Sequence, residues 1–125
     1  MHSSRWHFAS ALVLGLLTVG AAQAQETGFP VRNAGDLAAL CSAKSPDPRF
    51  AAKLNFCFGY AQGVLSSEQE RAQANQPGAR KFCMPSPAPS RAATMDGYAK
   101  WIHATPANAN LPAADSMMKS SIASK

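Results

Sequence analysis

Between residues 50 and 65 the chain sets Phe50, Leu54, Cys57, Ala61 and Val64 or Leu65 at alternating four- and three-residue intervals. That is the stripe of a helix turning one side toward a core. Phe56, Tyr60 and Gly63 make a second stripe beside the first, so this helix is expected to be buried over more than half of its circumference. The stretch NFCFGYAQG, residues 55–63, holds three aromatics, a thiol and two glycines in a chain otherwise rich in alanine, serine and small polar residues. Phe56, Phe58 and Tyr60 supply volume that alanines lack. Gly59 and Gly63 lie four apart on one helical face, which predicts a groove where another helix approaches closely. Such a contact would outweigh their propensity cost of about 1 kcal/mol each.

The flanking segments place three more helices. Residues 25–32 lack periodicity and read as a flexible lead-in. Asn33, with Asp36 three residues on, offers an N-cap and a carboxylate for the helix dipole. It predicts a helix from Ala34 through Cys41 or Ser42 with Leu37, Leu40 and Cys41 on its apolar side. Ser45-Pro46-Asp47-Pro48 ends it, because the residue before each proline is pushed out of the helical region. The long helix then runs from about Arg49 to Ala72 and stops before the turn Asn75-Gln76-Pro77-Gly78. Prolines at 85, 87 and 89 hold the next stretch extended. It is a stiff connector anchored by Phe82 and Cys83, or else a recognition motif for an aromatic groove. Ser90 caps a third helix, Arg91 to about Thr105, with Met95, Tyr98, Ala99 and Ile102 spaced for packing and Trp101 beside them. Pro106 ends it, and a polar loop over 107–110 leads to Pro112 in the first turn of a last helix. Ala114, Met117, Met118 and Ile122 are expected on that helix's buried side. No strand-like alternation occurs, so the expected fold is all-α, a small disulfide-stapled bundle of four helices.

The first 24 residues show a basic Arg5, an apolar run through Val19 and a closing Ala22-Gln23-Ala24, the order of a secretory signal peptide cleaved after Ala24. The run is shorter than the roughly 20 apolar residues of a spanning helix, so no membrane insertion is expected after cleavage. Residues 25–125 form a single small domain, able to bury only about 60–65% of its unfolded surface and suited to a covalent staple. The formal charge of +5 becomes +4 without the leader. Its basic residues are scattered rather than striped with aromatics, which argues against nucleic acid as a partner. Arg71, Arg80 and Lys81 either serve solubility or line a surface for an acidic partner.

Chemistry has little to stand on. His103 is the one histidine after the leader, which removes most catalytic triads and histidine-ligated metals, and it sits near a helix end where a cation suits the dipole. The acids Glu26, Asp36, Asp47, Glu68, Glu70, Asp96 and Asp115 are dispersed. No C-x-x-C pair or cysteine-histidine cluster supports zinc or haem. No catalytic residue, metal or cofactor is therefore expected. Two of Cys41, Cys57 and Cys83 should form a structural disulfide in an exported chain. Cys57 lies in the first half of the long helix, and the loop through Arg80 is long enough to bring Cys83 back alongside. Cys41 ends the first helix at the same pole and competes. The expected pair is Cys57–Cys83, with Cys41 left buried or unpaired.

The order Leu37-x-x-Leu40-Cys41, Phe56-Cys57-Phe58-Gly59-Tyr60-Ala61-x-Gly63-Val64, Phe82-Cys83-x-Pro85, then Trp101-Ile102-His103 and Pro106 resembles the Rap/Tai-type immunity proteins of bacterial type VI secretion. The resemblance covers about Asp36 to Ile122, and its most specific element is the C-x-G-Y-x-x-G block followed by C-x-P. The signature positions are thus Cys41, Cys57, Gly59, Tyr60, Gly63, Cys83, Pro85 and Pro106. The resemblance implies a small helical periplasmic protein, commonly a homodimer, that is not an enzyme. Such proteins bind a peptidoglycan-cleaving amidase effector from a neighbouring cell and obstruct its cleft. A small periplasmic chaperone or stress protein is the alternative. Partner contacts are expected on the exposed loops 73–81 or 107–110, with Arg80, Lys81, Asn108 and Asn110 as candidates.

Overall fold

Asn33 starts the first helix as its sequence context requires. In the computed structural model, which describes residues 28–80 and 83–123 with side chains through Ser121, the Asn33 Oδ1 accepts a hydrogen bond from the Asp36 N–H at 3.0 Å. The helix so begun, α1, spans Ala34–Cys41. It is followed by α2, Phe50–Gln73, α3, Arg91–Ala104, a short 3-10 helix, Pro106–Asn110, and α4, Ala113–Ala123. No strand occurs among the described residues. The leader, Lys81, Phe82 and the Ile122 side chain lie outside them.

Local chemistry explains most boundaries. The Arg32 backbone N–H and guanidinium bond the Asp36 carboxylate at 2.8–3.1 Å, and these hydrogen bonds hold its carboxyl below the usual range. The Asp47 carboxylate accepts the Arg49 N–H at 2.8 Å and meets the Lys53 ammonium, bracing the entry to α2. At the other end Asn75 takes a left-handed φ of 51°, while Gln76 N–H returns to Arg71 O and Asn75 N–H to Ala72 O. Those two bonds satisfy carbonyls that the helix end would leave orphaned. The Ala79 N–H then closes on Gln76 O around Pro77 and Gly78, whose φ of +75° is open to glycine and strained for other residues. Ser90 Oγ accepts the Ala93 N–H at 3.1 Å and opens α3.

The polar loop expected over 107–110 is instead wound into the 3-10 helix. Pro106 presets φ at its start, Asn108 N–H donates to Thr105 O, and Leu111 N–H donates to Asn108 O. This helix lies against α1, where Ala34 N–H donates to Leu111 O at 2.9 Å. A Cβ on Gly35 would stand 3.3 Å from the Ala109 Cβ, so the close approach beside a glycine occurs here.

The core joins α1, α3 and α4 to one side of α2. Leu37 and Ile102 are its largest wholly buried side chains, with Ala34, Ala38, Met95, Tyr98, Ala113 and Met117 around them. Tyr98 reaches across it: its hydroxyl lies 2.8 Å from Ser116 Oγ and 3.3 Å from Ala34 O. Burial pushes the phenol up from its ordinary value, and the bond to Ser116 pulls the other way. The buried side of α4 is Ala113, Ser116, Met117, Met118 and Ser120, whereas Ala114 is exposed. Ser116 and Ser120 can be buried because their hydroxyls donate to Ala113 O and Met117 O within the helix.

Two expectations about α2 are corrected. First, of its 24 residues only Cys57 is wholly buried; Leu54, Phe56, Phe58, Tyr60 and Val64 are half-buried, and Phe50, Gly59 and Gly63 are exposed. A helix of 24 residues runs about 36 Å, and partners of 8, 14 and 11 residues cover one side of it. Among the described residues no atom within 4 Å would meet a Cβ at Gly59 or Gly63, so no described helix enters that groove. Part of the lead-in does dock: the Phe29 ring meets Phe56 edge-on at 5.6 Å and carries the Arg49 guanidinium 4.4 Å above its face.

Second, the disulfide joins Cys41 to Cys57, with Cα atoms 5.3 Å apart, and Cys83 is a free, exposed thiol. The reason is where each strand of chain is pinned. α1 packs along the first part of α2 and sets its last residue beside Cys57. Arg80, by contrast, is held at Glu68, eleven residues and about 16 Å along α2 from Cys57. The stretch from Cys83 to Pro89 continues from that far end and stays exposed.

Candidate functional site

The residues picked out as partner contacts turn out to have different standing. Arg80 is half-buried and held by bonds within the molecule. Its backbone N–H donates to the Glu68 carboxylate at 3.0 Å and its guanidinium grips the Asp115 carboxylate. Arg71 bonds the same Glu68 at 2.8 Å and Lys119 the same Asp115 at 2.9 Å. The relay ties α2, the following turn and α4 together. Glu68 is held below the usual carboxylate range chiefly by the Arg80 N–H, and Asp115 chiefly by the Arg80 guanidinium, then by Lys119. Asn108 is half-buried and donates from Nδ2 to Trp101 O at 3.2 Å, fixing the 3-10 helix to the end of α3. Asn110 is exposed. Lys81 lies outside the described residues.

The signature positions likewise divide. Cys41 and Cys57 form the staple, and the half-buried Tyr60 ring lies 6.2 Å from Phe56 on the flank of α2. Pro106 opens the 3-10 helix. Gly59, Gly63, Cys83 and Pro85 are all exposed.

One concave feature among the described residues has no counterpart in the residue pattern. A groove of about 550 Å³ runs between the end of α1, the first half of α2 and the length of α3. Its floor is apolar: Cys41, Leu54 and Phe58 on one side, and Ala92, Met95 and Ala99 on the other. Its rim is polar, with Lys44 on the α1 side and Asp96, Lys100 and His103 on α3. Residues 92, 95, 96, 99, 100 and 103 recur at helical spacing, so one face of α3 forms an entire wall. Asp96 pairs with Lys100 at 2.7 Å across one turn. Its carboxyl is held low chiefly by that hydrogen bond, with Lys44 adding through space.

An apolar floor inside a polar rim, at a volume ordinary for a binding cleft, suits the capture of apolar side chains. Among the described residues no cluster of three His, Cys, Asp or Glu side chains could hold a metal ion. Every buried side-chain polar atom described has a hydrogen-bond partner. No significantly similar curated protein or solved structure is found. The family model of the Rap1a immunity proteins, however, matches residues 33–124, from the cap of α1 through the whole of α4, and the chain belongs to that family.

Proposed function

We propose that this chain is a non-catalytic periplasmic immunity protein that binds a peptidoglycan amidase delivered by type VI secretion and occludes its substrate cleft. The observation that carries the proposal is the family match over residues 33–124. Residues 1–24 serve as the cleaved leader that brings the protein to the compartment where such an amidase acts, and residues 25–125 are the binding domain. In support, no helix among the described residues is long and apolar enough to cross a membrane. The acids Asp36, Asp47, Glu68, Asp96 and Asp115 are engaged in ion pairs that brace the scaffold. Asn110 and Lys81 make direct contacts with the amidase, while Arg80 braces the turn after α2 and Asn108 ties the 3-10 helix to α3. The protein acts as a homodimer, with the open face of α2 at Gly59 and Gly63 available to a helix of the second copy.

The test is direct. Amidases encoded beside this gene are expressed with it, and capture, calorimetry and muropeptide release are measured. Nanomolar binding with loss of peptidoglycan cleavage, and survival of cells that receive the amidase, is the expected result. Failure to bind or protect against any neighbouring amidase overturns the reading.

A further inference from the structure

The groove along α3 has a shape and charge that specify what would fill it. We propose that it receives an extended segment of the partner protein in which large apolar side chains are flanked by carboxylates. The identity of that partner rests on the immunity reading, whereas the chemistry of the segment follows from the groove itself.

From Ala92 to His103 the α3 wall spans eleven residue steps, about 16 Å. At about 3.3 Å per residue this accommodates roughly five residues of extended chain. The floor, with Leu54 and Phe58 facing Met95 and Ala99, offers only apolar surface to the middle of such a segment. Lys44 stands on one wall and Lys100 and His103 on the other. The single acid of the rim, Asp96, is already committed to Lys100. The rim therefore sets two lysines against one acid and is net positive: with Lys100 held by Asp96, Lys44 is the cation left to meet a carboxylate beside the apolar anchor, and a basic segment is disfavoured. The Cys41–Cys57 staple fixes the α1 wall against the α2 wall, so the cleft is set before the partner arrives and little ordering is needed on binding.

Amide shifts in the labelled, purified protein test this with three blocked hexapeptides: Asp-Glu-Leu-Phe-Asp-Glu, Lys-Lys-Leu-Phe-Lys-Lys and Asp-Glu-Ala-Ala-Asp-Glu. The first is expected to shift the amides of Leu54, Phe58, Met95 and Ala99 saturably, and the other two to bind roughly tenfold or more weakly. Lys44→Glu with Lys100→Glu should invert the preference toward the lysine peptide. Because that pair sets two new acids near Asp96, Ala92→Trp serves as a second variant; Ala92 is exposed on the groove wall, and the indole should fill the cleft and abolish the shifts. Unmoved groove amides, equal binding of the acidic and basic peptides, or groove shifts that track self-association without peptide would each overturn the proposal. The titrations contain no amidase, so their failure is separate from failure of the immunity reading. An amidase that binds wild type and Ala92→Trp equally would remove the groove and leave that reading standing.

Discussion

Replacing Cys41 and Cys57 together by alanine removes a crosslink between residues 16 apart in sequence. In the chain-entropy treatment, freeing a loop of that length in the unfolded chain costs about 3 kcal/mol of stability at 25 °C. Cys57 is wholly buried and Cys41 nearly so, and the two lost sulfurs leave small voids worth about another 0.5–1 kcal/mol. A domain of this size loses about 4–8 °C of Tm per kcal/mol. The double variant should therefore melt on the order of 15–30 °C below wild type, out of a total stability of about 5–15 kcal/mol. Cys83→Ser alters one exposed thiol, and its effect should stay within about 0.5 kcal/mol. Circular dichroism melts with and without reductant read all of these. Reductant should lower wild type and Cys83→Ser toward the double variant and leave the double variant unmoved. A non-reduced peptide map joining Cys83 to either partner, or a Cys83→Ser melt that falls as far as the double variant, would refute the reasoning.

Leu37 is wholly buried at the centre of the core, so Leu37→Ala should cost about 2–5 kcal/mol, read as a lower urea midpoint at unchanged slope. Tyr98→Phe should cost about 1 kcal/mol by removing the hydroxyl shared with Ser116 and Ala34. Ser116→Ala should then cost less in that background than in wild type, and simple additivity in the double-mutant cycle would count against the pairing. Glu68 and Asp115 have folded pKa values below their unfolded ones, so their contribution is present above the unfolded value and lost as pH falls through the folded one. The urea midpoint should drop between neutral pH and about pH 3, and drop less in Arg80→Ala, which takes the guanidinium from Asp115 while the backbone N–H of residue 80 still holds Glu68; parallel profiles would exclude the Arg80–Asp115 pair as a cause.

Helix boundaries were legible where a single side chain sets them. Asn33 and Ser90 act on amides three residues away, so caps read from sequence reappear as hydrogen bonds at 3.0 and 3.1 Å. Buried positions of α1 and α3 were legible for the same reason, since Leu37, Tyr98 and Ile102 repeat at the spacing of their own helices. What depended on two elements meeting was not. The choice of Cys41 over Cys83 is made by the packing of α1 on α2 and by Arg80 at Glu68. The buried serines of α4 depend on hydroxyls turned back to their own carbonyls. Gly59 and Gly63 carry a signal that a lone chain leaves unanswered, because no helix of the bundle reaches that face. The groove draws its lining from three elements, so only the α3 repeat could have hinted at it.

The unequal anchoring of α2 has a consequence for how the molecule comes apart. Its first half carries a covalent tie at Cys57 and aromatic packing from Phe29 to Tyr60, while beyond Val64 it is held mainly through Glu68, Arg71 and Arg80. Ion pairs near the surface contribute little against fraying, so the two halves belong to different cooperative units. Amide hydrogens of residues 66–73 should exchange through local opening, and those near Cys57 only when the whole domain unfolds. The chain segment that includes Cys83 follows the half of the helix expected to open first.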